Sequence, residues 1–354
     1  MSAQRLNQWD NHRASDQLAG AVDMFTMKRW PAEWEPQQCC FVGWPDHPEE
    51  WGDAFEPARE AAAALAIALG DEAVVCVARS AIASVRDRIG AAARVMRLSY
   101  GDIWLRDTGP VWLSGESLIA VGFRWTDWGG SYLLEGDDGV AAALANANGA
   151  SLEESPVAAE GGGLETDGAG TCITTRDCLL NENRNPDLEA PDIERELAAR
   201  LGVKRTIWLE RGLAGDHTDG HVDNLARFVR RGLVAIAASD DSDPNHEVHL
   251  EIESTLAAAG LETVALPSPG AIRNASGELM PASYLNFVIA NNVVCVPTFA
   301  RETDAQALSI LGDLFATRRV CGVESRALLY GGGALHCMSN NLPKEATIPQ
   351  PPST

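Results

Sequence analysis

Apolar residues recur along this chain in short runs that end in clusters of Gly, Asp, Asn or His. Such runs are Cys40-Phe41-Val42-Gly43-Trp44-Pro45, Ile103-Trp104-Leu105-Arg106-Asp107, Ala159-Glu160-Gly161-Gly162, Gly220-His221-Val222-Asp223-Asn224, Leu285-Asn286-Phe287-Val288 and Ala334-Leu335-His336-Cys337. From Trp44 to Trp104 is 60 residues, then 56 to Glu160, 61 to His221, 65 to Asn286 and 51 to Cys337. This spacing reads as a weak internal repeat of one supersecondary unit. Between the landmarks, helical spacing of apolar positions predicts helices over 57–69, 187–201, 246–259 and 304–316, the first three followed by a glycine stop. β-rich runs predict strands over 73–78, 118–123, 171–175, 179–181, 205–209, 233–237, 263–266, 293–297 and 327–329. Strands and helices alternate, so the class is α/β. Small sheets with one helix each, arranged radially, fit the repeat, and a doubly wound sheet competes with them. No GxGxxG or P-loop follows a strand, so the usual nucleotide signals are missing.

Composition narrows the picture. The chain has 354 residues, 45% of them apolar, enough for one large core or two domains. A polar lead-in over 1–28, one domain over 29–345 and a tail over 346–354 are expected. The formal charge of −22 argues against nucleic acid and anionic membranes as partners. It suits a small cationic substrate, although solubility alone explains it as well. Only three lysines are present, so most basic groups are arginine. The apolar stretches are too short to span a membrane, and residues 1–13 carry no apolar signal segment. With eight scattered cysteines and no CxxC pair, reduced thiols in a cytoplasmic protein are expected, mostly packed as small hydrophobes.

Four segments carry candidate chemistry. Trp104-Leu105-Arg106-Asp107-Thr108-Gly109-Pro110 puts a carboxylate at a strand end before a turn, or else forms a structural Arg-Asp ion pair. Glu160 precedes three glycines, which permit close approach of backbone or ligand, or simply build a hairpin. Asp216 to Asn224 holds two imidazoles and three carboxylates in nine residues. His217 and His221 are four apart, as in a zinc helix, but Gly220 interrupts and no HExxH glutamate is present. The spacing His221-x-Asp223 suits a strand that presents both side chains to one cavity. Last comes Gly331-Gly332-Gly333-Ala334-Leu335-His336-Cys337. Cys337 alone reads as core, ligand or nucleophile. The set Asp107, Glu160, His221, Asp223 and Cys337 combines three carboxylates, an imidazole and a thiol. A planar, permanently charged guanidinium matches such a set, because carboxylates hold it in fork geometry beside a sulfur.

At these residues the chain resembles the agmatine deiminases of the guanidine-modifying superfamily, which also holds peptidylarginine deiminases, arginine deiminases and amidinotransferases. The matching segments are GWPDHPEEWGD at 43–53, WLRDTGP at 104–110, EGGG to DGAGT over 160–171, CLLNENRNP at 178–186, TDGHVDNLARF at 218–228, PASYLNFVIANN at 281–292 and GGGALHC at 331–337. The resemblance spans about residues 29 to 343. It implies a five-bladed α/β propeller of ββαβ units. It implies Cys337 as nucleophile, His221 as general acid/base and Glu160 as the carboxylate that orients the histidine. Asp107 and Asp223 would bind the guanidinium, and Trp104 would line the pocket. Neither metal nor organic cofactor is implied, and a homodimer or higher homo-oligomer is expected. The implied reaction takes agmatine to N-carbamoylputrescine and ammonia through a covalent thiouronium. A deiminase of another guanidine, an amidinotransferase and a non-catalytic cation-binding relative are the alternatives. Two departures bear on the substrate. Glu165 stands where the family often has histidine, and residues 338–343 differ from the family's pattern after the nucleophile. Glu165 either faces the pocket, favouring a second positive charge, or lies on the surface.

Overall fold

The computed structural model describes residues 28–345. The tail and all of the lead-in except Lys28 lie outside the described residues. The periodicity seen in the sequence is real in three dimensions. Four three-stranded sheets follow one another along the chain. The first is Val111–Leu113, Ile119–Arg124 and Ser151–Ala158. The second is Glu165–Thr166, Thr171–Thr175 and Arg205–Leu209. The third is Ala226–Arg230, Leu233–Ala238 and Glu262–Pro267. The fourth is Val288–Ile289, Val293–Thr298 and Arg319–Glu324. In each, the first two strands pair antiparallel and the last two parallel. Parallel neighbours need a crossover. The helices Val140–Ala147, Ala190–Leu201, His246–Ala258 and Asp304–Leu314 supply it.

A further sheet joins the two ends of the described chain. Ser339–Pro343 pairs antiparallel with Gln37–Gly43, which pairs parallel with Ala73–Val77 and through it with Arg94–Arg97. Its crossover helix, Phe55–Leu69, buries Ala58, Ala61, Ala62, Leu65, Ala66 and Leu69. Alanines on that face let the helix lie close to its sheets, and Leu65 is wholly buried. Burying such a leucine is worth about 1.5–3 kcal/mol, and Leu65→Ala would cost about 2–5 kcal/mol. The fold is therefore mixed α/β with separate small sheets, and the doubly wound alternative is excluded.

Two expected strands are not strands. Residues 179–181 instead close the helical turn Arg176–Leu179, which is capped by the Thr175 side chain accepting from the Cys178 N–H, and run on as a turn. Residues 327–329 run into the 3-10 turn Leu328–Gly331, which ends at Gly332 in a left-handed conformation. The helix expected over 187–201 begins only at Ala190, because Glu189 and Asp192 form a capping box and Pro191 sits in the first turn. Seven of the eight cysteines are buried and Cys321 is half-buried, all as free thiols. No described helix is long and apolar enough to cross a membrane.

Candidate active site

One position in the repeat supplies the site. It is the turn that leads into the first strand of each sheet. Asp107 lies in the helical turn Leu105–Thr108 before Val111–Leu113. Glu160 caps the turn Gly161–Gly163 before Glu165–Thr166. His221 and Asp223 belong to the turn that includes Val222–Asn224, before Ala226–Arg230. Asn286 precedes Val288–Ile289, and Cys337 precedes Ser339–Pro343. His221 and Asp223 are thus not on a strand, as their spacing suggested. A 3-10 turn instead brings both against Gly162, wholly buried beside Asp107 and Cys337, and neither lines the cavity described below.

The geometry is tight. His221 lies between two carboxylates, its Nε2 3.4 Å from Glu160 Oε2 and its Nδ1 3.6 Å from Asp107 Oδ1. The Cys337 Sγ is 3.6 Å from Asp223 Oδ2 and 3.1 Å from the Asn286 amide nitrogen. A Cβ on Gly162 would stand 2.7 Å from Asp107 Oδ1, 2.7 Å from His221 Nδ1 and 3.2 Å from Asp223 Oδ2. Only glycine therefore lets these three groups converge. Its own N–H donates to Asp107 Oδ1 at 2.9 Å. His221 Nδ1 and Asp223 Oδ1 are buried and bond to no other described group.

Cys337, Asp107 and Trp104 line a cavity of about 110 Å³ together with Trp51, Trp128 and Gly331 to Gly333. Its outer end holds Glu50, Asp102, Tyr132, His217 and Tyr330. A Cβ on Gly331 or Gly333 would stand 2.7 or 2.6 Å from the Trp104 ring. The glycines thus make room for the indole that walls the cavity. Asp102, buried at the rim, accepts from Trp51 Nε1 at 3.2 Å. Burial lifts its carboxyl to about 6, against the pull of its hydrogen bonds.

The electrostatics follow from burial. Burial, then Asp223 and Asp107, push the Cys337 thiol well above its ordinary range. Burial opposes a charged His221, but Asp107, Cys178 and Glu160 outweigh it and hold the imidazole well above 6.5. Burial raises Asp107, with Asp223 and Glu160 adding to it against His221. For Glu160, burial is outweighed by the bond from His221 and by Arg184, so the carboxyl lies below its usual range. Arg184 is fully buried and its Nε lies 3.0 Å from both oxygens of Glu160. Asp223 is likewise lowered despite burial, chiefly by the bond from His336.

Several expectations need correction. Arg106 does not pair with Asp107; it donates to Asn341 Oδ1 at 2.5 Å and to the carbonyl of His336. His217, as the interrupting Gly220 implied, does not stand with His221. It sits on the rim, bonded to Tyr132. The described cluster with metal-like spacing is Glu160, Cys178 and His221, within 4.8 Å of one another. A cation there would face the Arg184 guanidinium, which already occupies Glu160. Glu165 is neither in the Cys337 cavity nor on the surface. It is buried against Arg227, with Oε2 3.0 Å from Nε and Oε1 accepting from the Phe228 N–H at 2.7 Å. Residues 338–343 do not line the cavity either. Asn340 accepts from Trp112 Nε1 at 2.6 Å and bonds two backbone carbonyls, fixing the strand after Cys337.

The expected set omitted three groups the geometry requires. Trp128 Nε1 donates to Asp107 Oδ2 at 3.1 Å. Arg184 anchors Glu160. Asn286 Oδ1 accepts from the N–H of His336 at 2.9 Å while its amide nitrogen meets Cys337. Arg184 lies in the CLLNENRNP segment and Asn286 was a repeat landmark, so both were visible as patterns without a role. Nothing local marks Trp128.

The family model for Porphyromonas-type peptidyl-arginine deiminases matches residues 29–343. The chain belongs to that family. Among its relatives, the agmatine deiminase of Ectopseudomonas mendocina is 36% identical, the match covering 88% of this chain and 95% of that one. The solved agmatine deiminase of Enterococcus faecalis is 29% identical with a TM-score of 0.84, covering 90% of this chain and 96% of that one. A C. jejuni agmatine deiminase with a cysteine-to-serine change and substrate bound has 26% identity and a TM-score of 0.84, covering 90% and 97%. Relatives named for agmatine thus stand beside a solved putative peptidyl-arginine deiminase, 29% identical with a TM-score of 0.82 and covering 90% of this chain and 99% of that one.

Proposed function

We propose that the chain is an agmatine deiminase, hydrolysing agmatine to N-carbamoylputrescine and ammonia. One observation carries the reading. The Cys337 thiol shares an aromatic-walled cavity with Asp107 at its inner end and with Asp102 and Glu50 at its rim, and no described arginine or lysine lines it. A guanidinium fits the inner carboxylates, a methylene chain fits the indoles, and a terminal ammonium suits the acidic rim. The α-carboxylate of free arginine would meet anions there.

The chemistry uses groups already in contact. Asp107 and Asp223 hold the guanidinium with its carbon facing sulfur. The incoming cation favours the thiolate that burial disfavours in the free protein. The Cys337 sulfur, its proton lost to solvent as the cation binds, then bonds to the guanidinium carbon. His221, held as imidazolium by its two carboxylates, donates a proton to the departing nitrogen, and ammonia leaves. The neutral imidazole next takes a proton from water as hydroxide adds to the same carbon. The C–S bond breaks as the added hydroxyl loses its remaining proton to solvent, releasing the ureido product, thiolate and imidazolium. Glu160, fixed by Arg184, keeps the ring oriented through both steps.

The five ββαβ sheets are read as blades around one axis, closed by the pairing of Gln37–Gly43 with Ser339–Pro343. Residues 29–345 then form one domain. Eight free cysteines favour a reducing, cytoplasmic setting. A homodimer or larger homo-oligomer is the assembly to test by light scattering. The deciding assay offers agmatine, arginine and a blocked arginine, and measures ammonia and ureido product. Turnover of agmatine above the others supports the reading; release from arginine alone overturns it. Transfer of the amidino group to an added amine would point to an amidinotransferase.

A further inference from the structure

Two loops meet over the outer end of the Cys337 cavity, one bearing Trp128 and the other leading into His221. One loop carries Asp127 and Trp128 at φ 54° and 50°, then Gly129 and Gly130 at 70° and 84°. For the two non-glycines this left-handed backbone is strained, so the surrounding structure must hold it. The other loop carries Asp219 at φ 61°. They are braced together through Asn183. A Cβ on Gly129 would stand 2.3 Å from the Asn183 side chain, whose Nδ2 donates to Asp219 Oδ2 at 2.8 Å. Asp219 also accepts from Arg184 Nη1 at 2.6 Å. From this braced base two side chains reach across. Tyr132 hydrogen-bonds to His217 Nδ1, and their rings lie 9° from parallel with centroids 6.1 Å apart. Tyr132 packs edge-on against Trp128 at 6.0 Å, and Trp128 holds Asp107. A wall therefore runs outward from the guanidinium carboxylate through Trp128 and Tyr132 to His217.

We propose that the Tyr132–His217 bridge is the specificity gate of this site, admitting small free guanidines on an unbranched chain and excluding arginine carried on a peptide backbone. This rests on the deiminase reading above and adds to it the residues that restrict the substrate. A peptidyl arginine must leave its main chain outside the cavity, where amide groups on both sides of Cα need lateral room. The bridge occupies that room on one side. A linear ω-amino chain presents no such branches. The two bridging side chains are at the surface, Tyr132 41% exposed, so trimming them leaves the core intact.

The test compares the intact protein with Tyr132→Phe, Tyr132→Ala and the double variant Tyr132→Ala/His217→Ala. Each is assayed for ammonia release from agmatine and from N-acetyl-arginine amide, with melting temperature as the folding control. The readout is the ratio of kcat/KM for the blocked arginine to that for agmatine. The ratio should rise about tenfold or more in the double variant, with Tyr132→Phe, which loses the hydrogen bond and keeps the ring, in between. An unchanged ratio overturns the gate, as does a parent protein that takes the blocked arginine as readily as agmatine. A parent protein that releases ammonia from neither overturns the deiminase reading and the gate with it.

Discussion

His336 Nδ1 lies 2.8 Å from Asp223 Oδ2. His336 neighbours Cys337 in sequence, yet its ring turns away from the cavity, and its Nε2 lies 2.9 Å from Glu33. The ring therefore spans two carboxylates and acts as a clamp on Asp223. His336→Ala should lower kcat/KM for agmatine about tenfold or more, because Asp223 loses its hydrogen-bond partner while still buried. Raising the pH should recover part of that loss by re-ionising Asp223. A loss independent of pH would mean the ring serves packing alone.

The acid limb of kcat/KM should reflect first Cys337, whose thiol must ionise and is held well above its ordinary range, and at lower pH Asp107. Its carboxyl is raised above 3.8, so the charge that holds a guanidinium is lost as pH falls through a value above the usual aspartate range. The alkaline limb should reflect His221, needed as a cation and held well above 6.5. Activity should therefore persist above pH 7 and fall only as the imidazolium deprotonates. A pH–rate profile already falling near pH 6.5 would contradict this assignment.

Trp128→Phe removes the N–H that Asp107 accepts and keeps an aromatic wall. The expected result is about tenfold lower kcat/KM, the scale of one hydrogen bond to a charged group. Steady-state kinetics and a melting curve separate this from unfolding.

Arg184→Met leaves Glu160 buried without its cation. Stability should fall by about 3–5 kcal/mol, as for other broken buried pairs, with activity falling too because Glu160 protonates and releases His221. Urea unfolding of the variant measures the first effect, and ammonia release measures the second.

Glu165→Gln should lower the melting temperature, since Glu165 pairs with the wholly buried Arg227. Relative rates across guanidines of different chain length should not move, because Glu165 lies outside the Cys337 cavity. A changed substrate preference in this variant would place its influence in the pocket after all.

Much of this architecture was legible before any coordinates. Strands at Thr171–Thr175 and Arg205–Leu209 fell where β-branched runs put them. The crossover helices at Phe55–Leu69, Ala190–Leu201 and His246–Ala258 end within a residue or two of their glycine stops, whereas Val140–Ala147 had not been expected. The landmarks marked the turns where Asp107, Glu160, His221, Asp223 and Cys337 converge. What sequence could not carry was direction. Alternation suggested that His221 and Asp223 face one way from a strand, yet a 3-10 turn does this work. His217 and His221 sit four apart but point to different places, the rim and the buried carboxylates. Arg106 and Asp107 are adjacent and diverge within one helical turn. Glu165 depended on Arg227, 62 positions away, so no local signal distinguished pocket, surface and core. Trp128 depends on left-handed backbone at non-glycine residues, which composition does not announce.

The most direct test of the account is intact-mass spectrometry of the protein quenched during turnover of agmatine, with Cys337→Ser alongside. The account predicts an adduct on Cys337 with the mass of agmatine less ammonia, formed and consumed at the rate of N-carbamoylputrescine release. It predicts neither adduct nor product in the variant. Product formed by Cys337→Ser at the parent rate, or turnover of the parent with no mass on Cys337, would contradict it.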